Sequence, residues 1–257
     1  MSDLRERYLA AKRGLFDLYY ASLNEQQREA IYHICDPLLI LAGAGSGKTT
    51  VWVRRSAYII RYGNAYHFNG VPTGLSEAHV ASLEAALRSA PAKEELEGIL
   101  GEFAVDPCPP WRVLAITFTN KAANEIKARL AAAFPDDPDL PSSIWAGTFH
   151  SICMRILRRY STEAGLREGF TVYDTDDQKK ALKAVMTSLN IDEKILNPKR
   201  VLKEISHAKD RLISPENFLL EAGNEYPMPL IEKIYVGYQK RLAESNALDL
   251  TILLCVP

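Results

Sequence analysis

Apolar residues follow two rhythms along this chain. Short unbroken runs, Leu38-Leu39-Ile40-Leu41, Val113-Leu114-Ala115-Ile116 and Ile144-Trp145-Ala146-Gly147, predict buried strands, and a polar turn follows each at once. Behind each turn the period changes to that of a helix: Thr49 to about Arg61, Thr119 or Asn120 to about Phe134, and Thr148 to about Tyr160. Strand, turn and helix in succession make βαβ units. Right-handed crossovers then set the strands parallel, with their C-terminal ends and polar turns at one rim of the sheet.

Other segments have no strand signal. Leu4, Tyr8, Leu15, Leu18 and Tyr19 predict an N-terminal helix lying on the domain surface. Ser76 with Val80, Leu83 and Leu87, then Pro91 with Leu96, Ile99, Leu100 and Phe103, predict a helical hairpin inside residues 63–110, a connection far longer than the usual 2 to 6 or so residues. It holds seven acidic and two basic side chains and reads as an acidic, passive surface insertion. From about residue 165 helix caps recur at Asp174 or Thr175, Asn197-Pro198, Ser214-Pro215 and Pro229, which predicts an all-helical subdomain.

Composition narrows the class without naming a partner. The 257 residues, 47% hydrophobic, suffice for a sizeable core, and the net charge of −1 argues against a dominant nucleic-acid footprint. No run approaches the roughly 20 apolar residues of a membrane span, and charged side chains fill the first 13 positions, so no membrane association and a cytoplasmic location are expected. Cys35, Cys108, Cys153 and Cys255 lie far apart, form no metal-binding pair, and are expected to be reduced and buried.

The turn after the first run carries the chemistry. Ala42-Gly43-Ala44-Gly45-Ser46-Gly47-Lys48-Thr49 is a phosphate-binding loop between a predicted strand and a predicted helix. Glycines let successive N–H groups face phosphate oxygens, and the helix start adds its positive dipole end. Lys48 supplies charge for the terminal phosphates, and the Thr49 hydroxyl a ligand for Mg²⁺, with Thr50 next in the cradle. A nucleoside triphosphate follows as the expected ligand. Upstream, Asn24 and Gln27 have the spacing of a capping box, whereas the Gln27 amide also suits an adenine edge, and both readings stand.

Four segments in this order and spacing, LNEQQREA (23–30), AGAGSGKT (42–49), AITFTNKAANEIKAR (115–129) and GTFHS (147–151), closely resemble the N-terminal part of the UvrD/Rep/PcrA family of superfamily 1 DNA helicases. Ile205-Ser206-His207-Ala208-Lys209, Tyr235, Tyr238-Gln239 and Ala247-Leu248-Asp249 also look like that family's helical subdomain and the return from it. Residues 63–110 stand outside the resemblance. It implies an α/β fold: a RecA-like P-loop NTPase lobe with a parallel sheet over residues 23–160, a helical subdomain inserted after the third strand over 161–246, a tail over 247–257, and an N-terminal helix over 1–22.

It also implies ATP and Mg²⁺ as cofactors and 3′ to 5′ translocation on single-stranded DNA, with single/double-strand junctions and repair or replication proteins as partners. Carried over by position, Gln27 would read adenine; Gly43, Ala44, Gly45, Ser46, Gly47, Lys48, Thr49 and Thr50 would hold the nucleotide; Phe118, Thr119, Asn120, Thr148, Phe149 and His150 would meet DNA. In relatives the segment after Asp249 continues with an aromatic and two acidic residues, and an Asp-Glu pair follows. Here Leu250-Thr251-Ile252-Leu253-Leu254-Cys255-Val256-Pro257 stands instead. A reading-frame shift after the Asp249 codon accounts for that change, and the chain by itself is expected to hydrolyse ATP negligibly. A helicase-nuclease subunit and a non-catalytic nucleotide- or DNA-binding fragment are the alternative readings; a generic P-loop kinase would not explain TFTNKAA and GTFHS.

Overall fold

The computed structural model describes residues 2–43 and 45–249. The chain divides into two units, residues 1–146 and 147–257. The first contains α1 (Ser2–Tyr19), α2 (Glu25–Tyr32), α3 (Lys48–Tyr62), α4 (Glu77–Ser89), α5 (Lys93–Gly101), β1 (Leu114–Thr117), α6 (Asn120–Ala133), α7 (Leu140–Ser143) and the start of β2 (Trp145–Thr148). The second contains the end of β2, then α8 (Phe149–Arg159), β3 (Thr171–Tyr173), α9 (Thr175–Ser188), α10 (Pro198–Asp210), α11 (Phe218–Ala222), α12 (Met228–Glu244) and β4 (Ala247–Asp249). Among the described residues no helix is long and apolar enough to cross a membrane.

In the first unit α3 is shared between two cores because apolar residues line both of its sides. Val51, Tyr58 and Tyr62 face a cluster with Leu15, Phe16, Tyr20, Ile31, Val80, Leu83 and Leu100. Val53, Ala57 and Ile60 face a second cluster with Ala115, Ile126, Leu130 and Ile144. Phe16 lies edge-on to Tyr62 and Tyr58 at centroid distances of 5.3 and 5.7 Å, and Tyr32 stacks on Tyr66 at 3.8 Å. Pairs of this kind add about 0.5–1.5 kcal/mol each beyond the area they bury.

Two expectations are corrected here. The N-terminal helix is a core element: Leu15 and Phe16 are fully buried, and α4 and α5 of the 63–110 segment pack on it. The segment therefore belongs to the core rather than the surface. Its acidic side chains face cations of α1 and α3, with Arg7 gripping Glu84 at 2.9 Å and Glu77 at 2.6 Å, and Arg61 pairing with Glu97 at 2.9 Å. The segment leaves and re-enters at one point. Val105 N–H donates to the Tyr62 carbonyl (3.0 Å) and Asn64 N–H to the Val105 carbonyl (2.8 Å). Gly63 sits between with φ +55°, where a Cβ would lie 1.9 Å from the Val105 oxygen, so only glycine fits.

The expected parallel sheet is also smaller than its sequence pattern. Leu38–Leu41 forms no strand, and Leu39 and Leu41 are 81% and 86% exposed. A buried parallel strand is held by neighbours on both edges, and among the described residues no strand lies beside this run. Among the described residues β1 pairs with β2 alone, with Trp145 N–H donating to the Val113 carbonyl at 3.0 Å. One face of β1 is covered through Ala115, whereas Leu114 and Ile116 are exposed.

The second unit is mostly helical; two expected caps hold, whereas Ser214 makes no side-chain cap bond and α12 starts after Pro227, before Pro229. Asp174 accepts from the N–H groups of Asp176 and Asp177, and Asn197 accepts from that of Lys199. The expectation of an all-helical segment gives way to a short sheet: β3 pairs parallel with β4, Thr171 opposite Ala247 and Tyr173 opposite Asp249. Three-residue strands are too short to show a period. Residues 247–249 are thus part of the fold, and 250–257 lie outside the described residues. Cys35 is exposed, and Cys108 and Cys153 are half-buried, so the expected burial of the thiols does not hold; Cys255 lies outside the described residues.

Lys12 gives the first unit a distinctive pH response. Its buried ammonium donates to the carbonyls of Ala65 (2.8 Å) and Phe68 (2.5 Å), yet burial lowers its pKa to about 8. An unfolded lysine keeps its proton to about pH 10.4. Between about pH 8 and 10 the unfolded chain therefore holds the additional proton, and stability rises with pH. Above about pH 10 buried tyrosines reverse the trend, because burial raises Tyr20, Tyr32 and Tyr58 and the unfolded phenols ionise first. Calorimetry should show the melting temperature climbing from about pH 8 to 9.5 in the parent and flat in Lys12→Met. A fall across that window in the parent contradicts the assignment.

Candidate nucleotide and nucleic-acid site

The loop before α3 is shaped by left-handed glycines. Gly45 and Gly47 have φ of +77° and +84°, a region that side chains with a Cβ disfavour. Gly47 caps α3 without any side-chain hydrogen bond, whereas Asn24, Ser76, Thr119, Thr148, Asp174 and Asn197 each cap their helices through a side chain. The first N–H groups of α3 are consequently left for an outside acceptor.

Lys48 is exposed and turns back on its own loop, its ammonium donating to the carbonyls of Ala42 (2.8 Å) and Gly43 (2.6 Å). Ser46 Oγ also donates to the Gly43 carbonyl, at 2.7 Å. Thr49 is half-buried in the first turn of α3 beside it. Thr50 Oγ1 points elsewhere and accepts from Arg129 at 3.3 Å. Ala44 lies outside the described residues.

Gln27 makes the capping box, and its amide reaches the phosphate loop as well. Its Oε1 accepts from Asn24 N–H (3.1 Å) and its N–H donates to Asn24 Oδ1 (2.9 Å), a complete capping box. Its Nε2 donates to the Ser46 carbonyl at 3.3 Å, which ties α2 to the loop. Between them opens a cleft of about 270 Å³, lined in part by Gln27, Ile40, Ala42, Ser46, Lys48 and Val51. Its apolar wall and amide edge suit a flat heterocycle next to the phosphate loop.

The turn after β1 projects Phe118, which is 91% exposed. Thr119 is the N-cap of α6, its Oγ1 accepting from Ala122 N–H at 3.2 Å, and Thr117 Oγ1 donates to the Thr119 carbonyl at 3.0 Å. Asn120 is the first helical residue and is exposed. Two hydrogen bonds thus fix a turn that presents an aromatic ring to solvent. In the second unit Thr148 caps α8, accepting from Ser151 N–H at 3.3 Å, while Phe149 and His150 are exposed on its first turn. Arg129 escaped the sequence reading; its contact with Thr50 is long-range, and only its spacing from Glu125 marks it in the sequence.

Among the described residues no group of three His, Cys, Asp or Glu side chains could hold a metal ion. A divalent cation would find the Thr49 hydroxyl and the oxygens of the nucleotide itself.

Residues 23–90 and 96–257 match the model of the UvrD/REP helicase N-terminal domain family, so the match runs through most of the 63–110 segment set outside the resemblance above. The chain is 36% identical over 229 residues to the ATP-dependent DNA helicase PcrA of Bacillus subtilis, covering 89% of this chain and 25% of that protein. It is 36% identical over 228 residues to the PcrA of Staphylococcus epidermidis and 34% identical over 227 residues to that of Leuconostoc citreum. It spans about a quarter of the length of these relatives. With the glycine loop, the Gln27 contact and the capped Phe118 turn in place, the chain belongs to the UvrD/REP helicase N-terminal domain family.

Proposed function

We propose that this chain is the nucleotide- and DNA-binding N-terminal portion of an ATP-dependent 3′ to 5′ DNA translocase. The observation that carries the reading is the uncapped α3 start with Lys48 folded over loop carbonyls, a grip whose natural acceptor is a phosphate. On binding, Gln27 and the adjoining cleft take the base, the N–H groups of Gly45 to Thr49 take the phosphates, and Lys48 exchanges two carbonyls for phosphate oxygens. Thr49 supplies a single oxygen to Mg²⁺. Ala44 and Thr50 are assigned to the cradle by their place in the motif, although the Thr50 hydroxyl meets Arg129. In domain terms the reading assigns residues 23–160 to a RecA-like lobe and 161–246 to a helical subdomain.

Phe118 stacks on a DNA base and Thr119 and Asn120 contact the backbone beside it; Thr148, Phe149 and His150 of the second unit are assigned to DNA contact as well. Stacking tolerates any base, as movement along a strand requires. Junction-containing DNA and repair or replication proteins are the partners this reading implies. Phe118→Ala is expected to weaken single-stranded DNA binding by about 5- to 150-fold, the value of one stacked base, without lowering the melting temperature of so exposed a residue. Fluorescence anisotropy with a labelled oligonucleotide checks it, and unchanged affinity would remove Phe118 from the interface.

The 257-residue polypeptide by itself is expected to bind ATP and turn it over negligibly. Among the described residues no group of three His, Cys, Asp or Glu side chains could hold the metal. DNA-stimulated phosphate release at ordinary helicase rates would overturn this.

A further inference from the structure

A second cleft, of about 250 Å³, lies in the first unit away from Gln27 and is bordered by α1, α3, α5 and α6. Its floor is apolar, made by Tyr20, Val53 and Ala57, which are buried, and by Ala132 and Ala133. Its rim carries four cations, Arg54, Arg61, Lys93 and Arg129. Two carboxylates offset them in part: Glu97 pairs with Arg61 at 2.9 Å and Lys93 at 3.5 Å, and Glu125 pairs with Arg129 at 2.7 Å. Among the described residues Arg54 has no ion-pair partner, so positive charge remains in excess over an apolar floor.

The walls have two origins. Arg54, Arg61 and Arg129 lie within the matched family segments, whereas Tyr19, Tyr20 and Lys93 lie in residues 1–22 and 91–95, which the family match leaves out. The cleft is thus built where Tyr19, Tyr20 and Lys93 meet side chains of the matched helices α3 and α6. Tyr19 forms one side, its hydroxyl donating to Glu97 and its ring lying 5.9 Å from the Lys93 ammonium. At its far end Arg129 holds Thr50, one residue beyond Thr49 of the phosphate loop.

We infer that this cleft binds a nucleoside monophosphate, its flat base on the apolar floor beside Tyr19 and its phosphate between Arg54, Lys93 and Arg129. Guanidinium forks match phosphate oxygens in pairs, and an aromatic edge next to an apolar floor suits a base of any identity. The cleft, of about 250 Å³, has room for one such unit. Occupancy would draw Arg129 from Thr50 and so reach the first turn of α3.

Titration calorimetry with AMP tests the site in the 257-residue polypeptide. AMP affinity should survive in Lys48→Ala, which cripples the phosphate loop, and fall at least about 10-fold in Arg54→Gln/Lys93→Gln, which removes two charge-assisted contacts. That double variant should keep the parent's melting temperature and its ATP affinity at the loop. No AMP binding in Lys48→Ala at about 1 mM ligand, or unchanged AMP affinity in a folded Arg54→Gln/Lys93→Gln, overturns the proposal. Inorganic phosphate should compete weakly; equal affinity for phosphate and AMP would refute a nucleoside site. Loss of ATP binding in Lys48→Ala with AMP binding intact separates this site from the loop.

Discussion

Replacing Asp249 with alanine is expected to lower the melting temperature of the second unit by roughly 10–20 °C, corresponding to about 3–5 kcal/mol for a buried charge left without its partner. Asp249 Oδ2 accepts from the Lys209 ammonium at 2.5 Å, and the two side chains are only 4% and 3% exposed. The ammonium also lies 5.3 Å from the Tyr238 ring and 6.0 Å from that of Tyr235. Burial, and then the Asp249 carboxylate, pushes the Tyr238 phenol far above its usual range, which keeps that wall neutral.

The pair joins α10 to β4, and the β3–β4 pairing holds residues 171–173 against 247–249. Removing the carboxylate takes away the charge that offsets the desolvation of the buried Lys209 ammonium. Replacing both partners with apolar residues, as in Lys209→Met/Asp249→Leu, removes the uncompensated charge and should recover most of the lost stability. Circular dichroism melts of the three proteins check the cycle. A melting temperature for Asp249→Ala within about 2 °C of the parent would show that water reaches the pair and that it holds nothing together.

Lys48→Ala is expected to raise the Kd for Mg-ATP by about 10- to 150-fold, since a hydrogen bond to a charged group is worth about 1.5–3 kcal/mol. The fold should not suffer, because Lys48 is exposed and among the described residues bonds only to carbonyls of its own loop. Those carbonyls can turn to water. Lys48→Arg should also bind poorly, because a planar fork cannot replace a compact ammonium in so tight a loop. Fluorescent nucleotide titration distinguishes the outcomes. Parent-like affinity in Lys48→Ala would place the nucleotide elsewhere.

Much of this was legible because the signals are local. Caps at Asn24, Ser76, Thr119, Thr148, Asp174 and Asn197 depend on a side chain reaching an N–H two or three residues away, so each was visible in a short window of sequence. The phosphate loop is local in the same way, since the left-handed turns of Gly45 and Gly47 follow from their lack of a Cβ. What failed was whatever depended on a distant partner. Leu38–Leu41 has the composition of a buried strand, but composition cannot supply the neighbouring strand that would receive its hydrogen bonds. Polar residues in the 63–110 segment disguised its packing, because Glu77, Glu84 and Glu97 meet arginines that come from α1 and α3.

By itself, then, the sequence determined the helix starts, the phosphate loop and the aromatic turn at Phe118, all set by steric and hydrogen-bonding choices within a few residues. Only the tertiary structure decided that α1 and the 63–110 segment share one aromatic core with α3, that Arg129 rests on Thr50, and that Lys209 and Asp249 meet in the dark of the second unit. These contacts join residues tens of positions apart, and their free energy comes from burial and charge pairing that no local window contains.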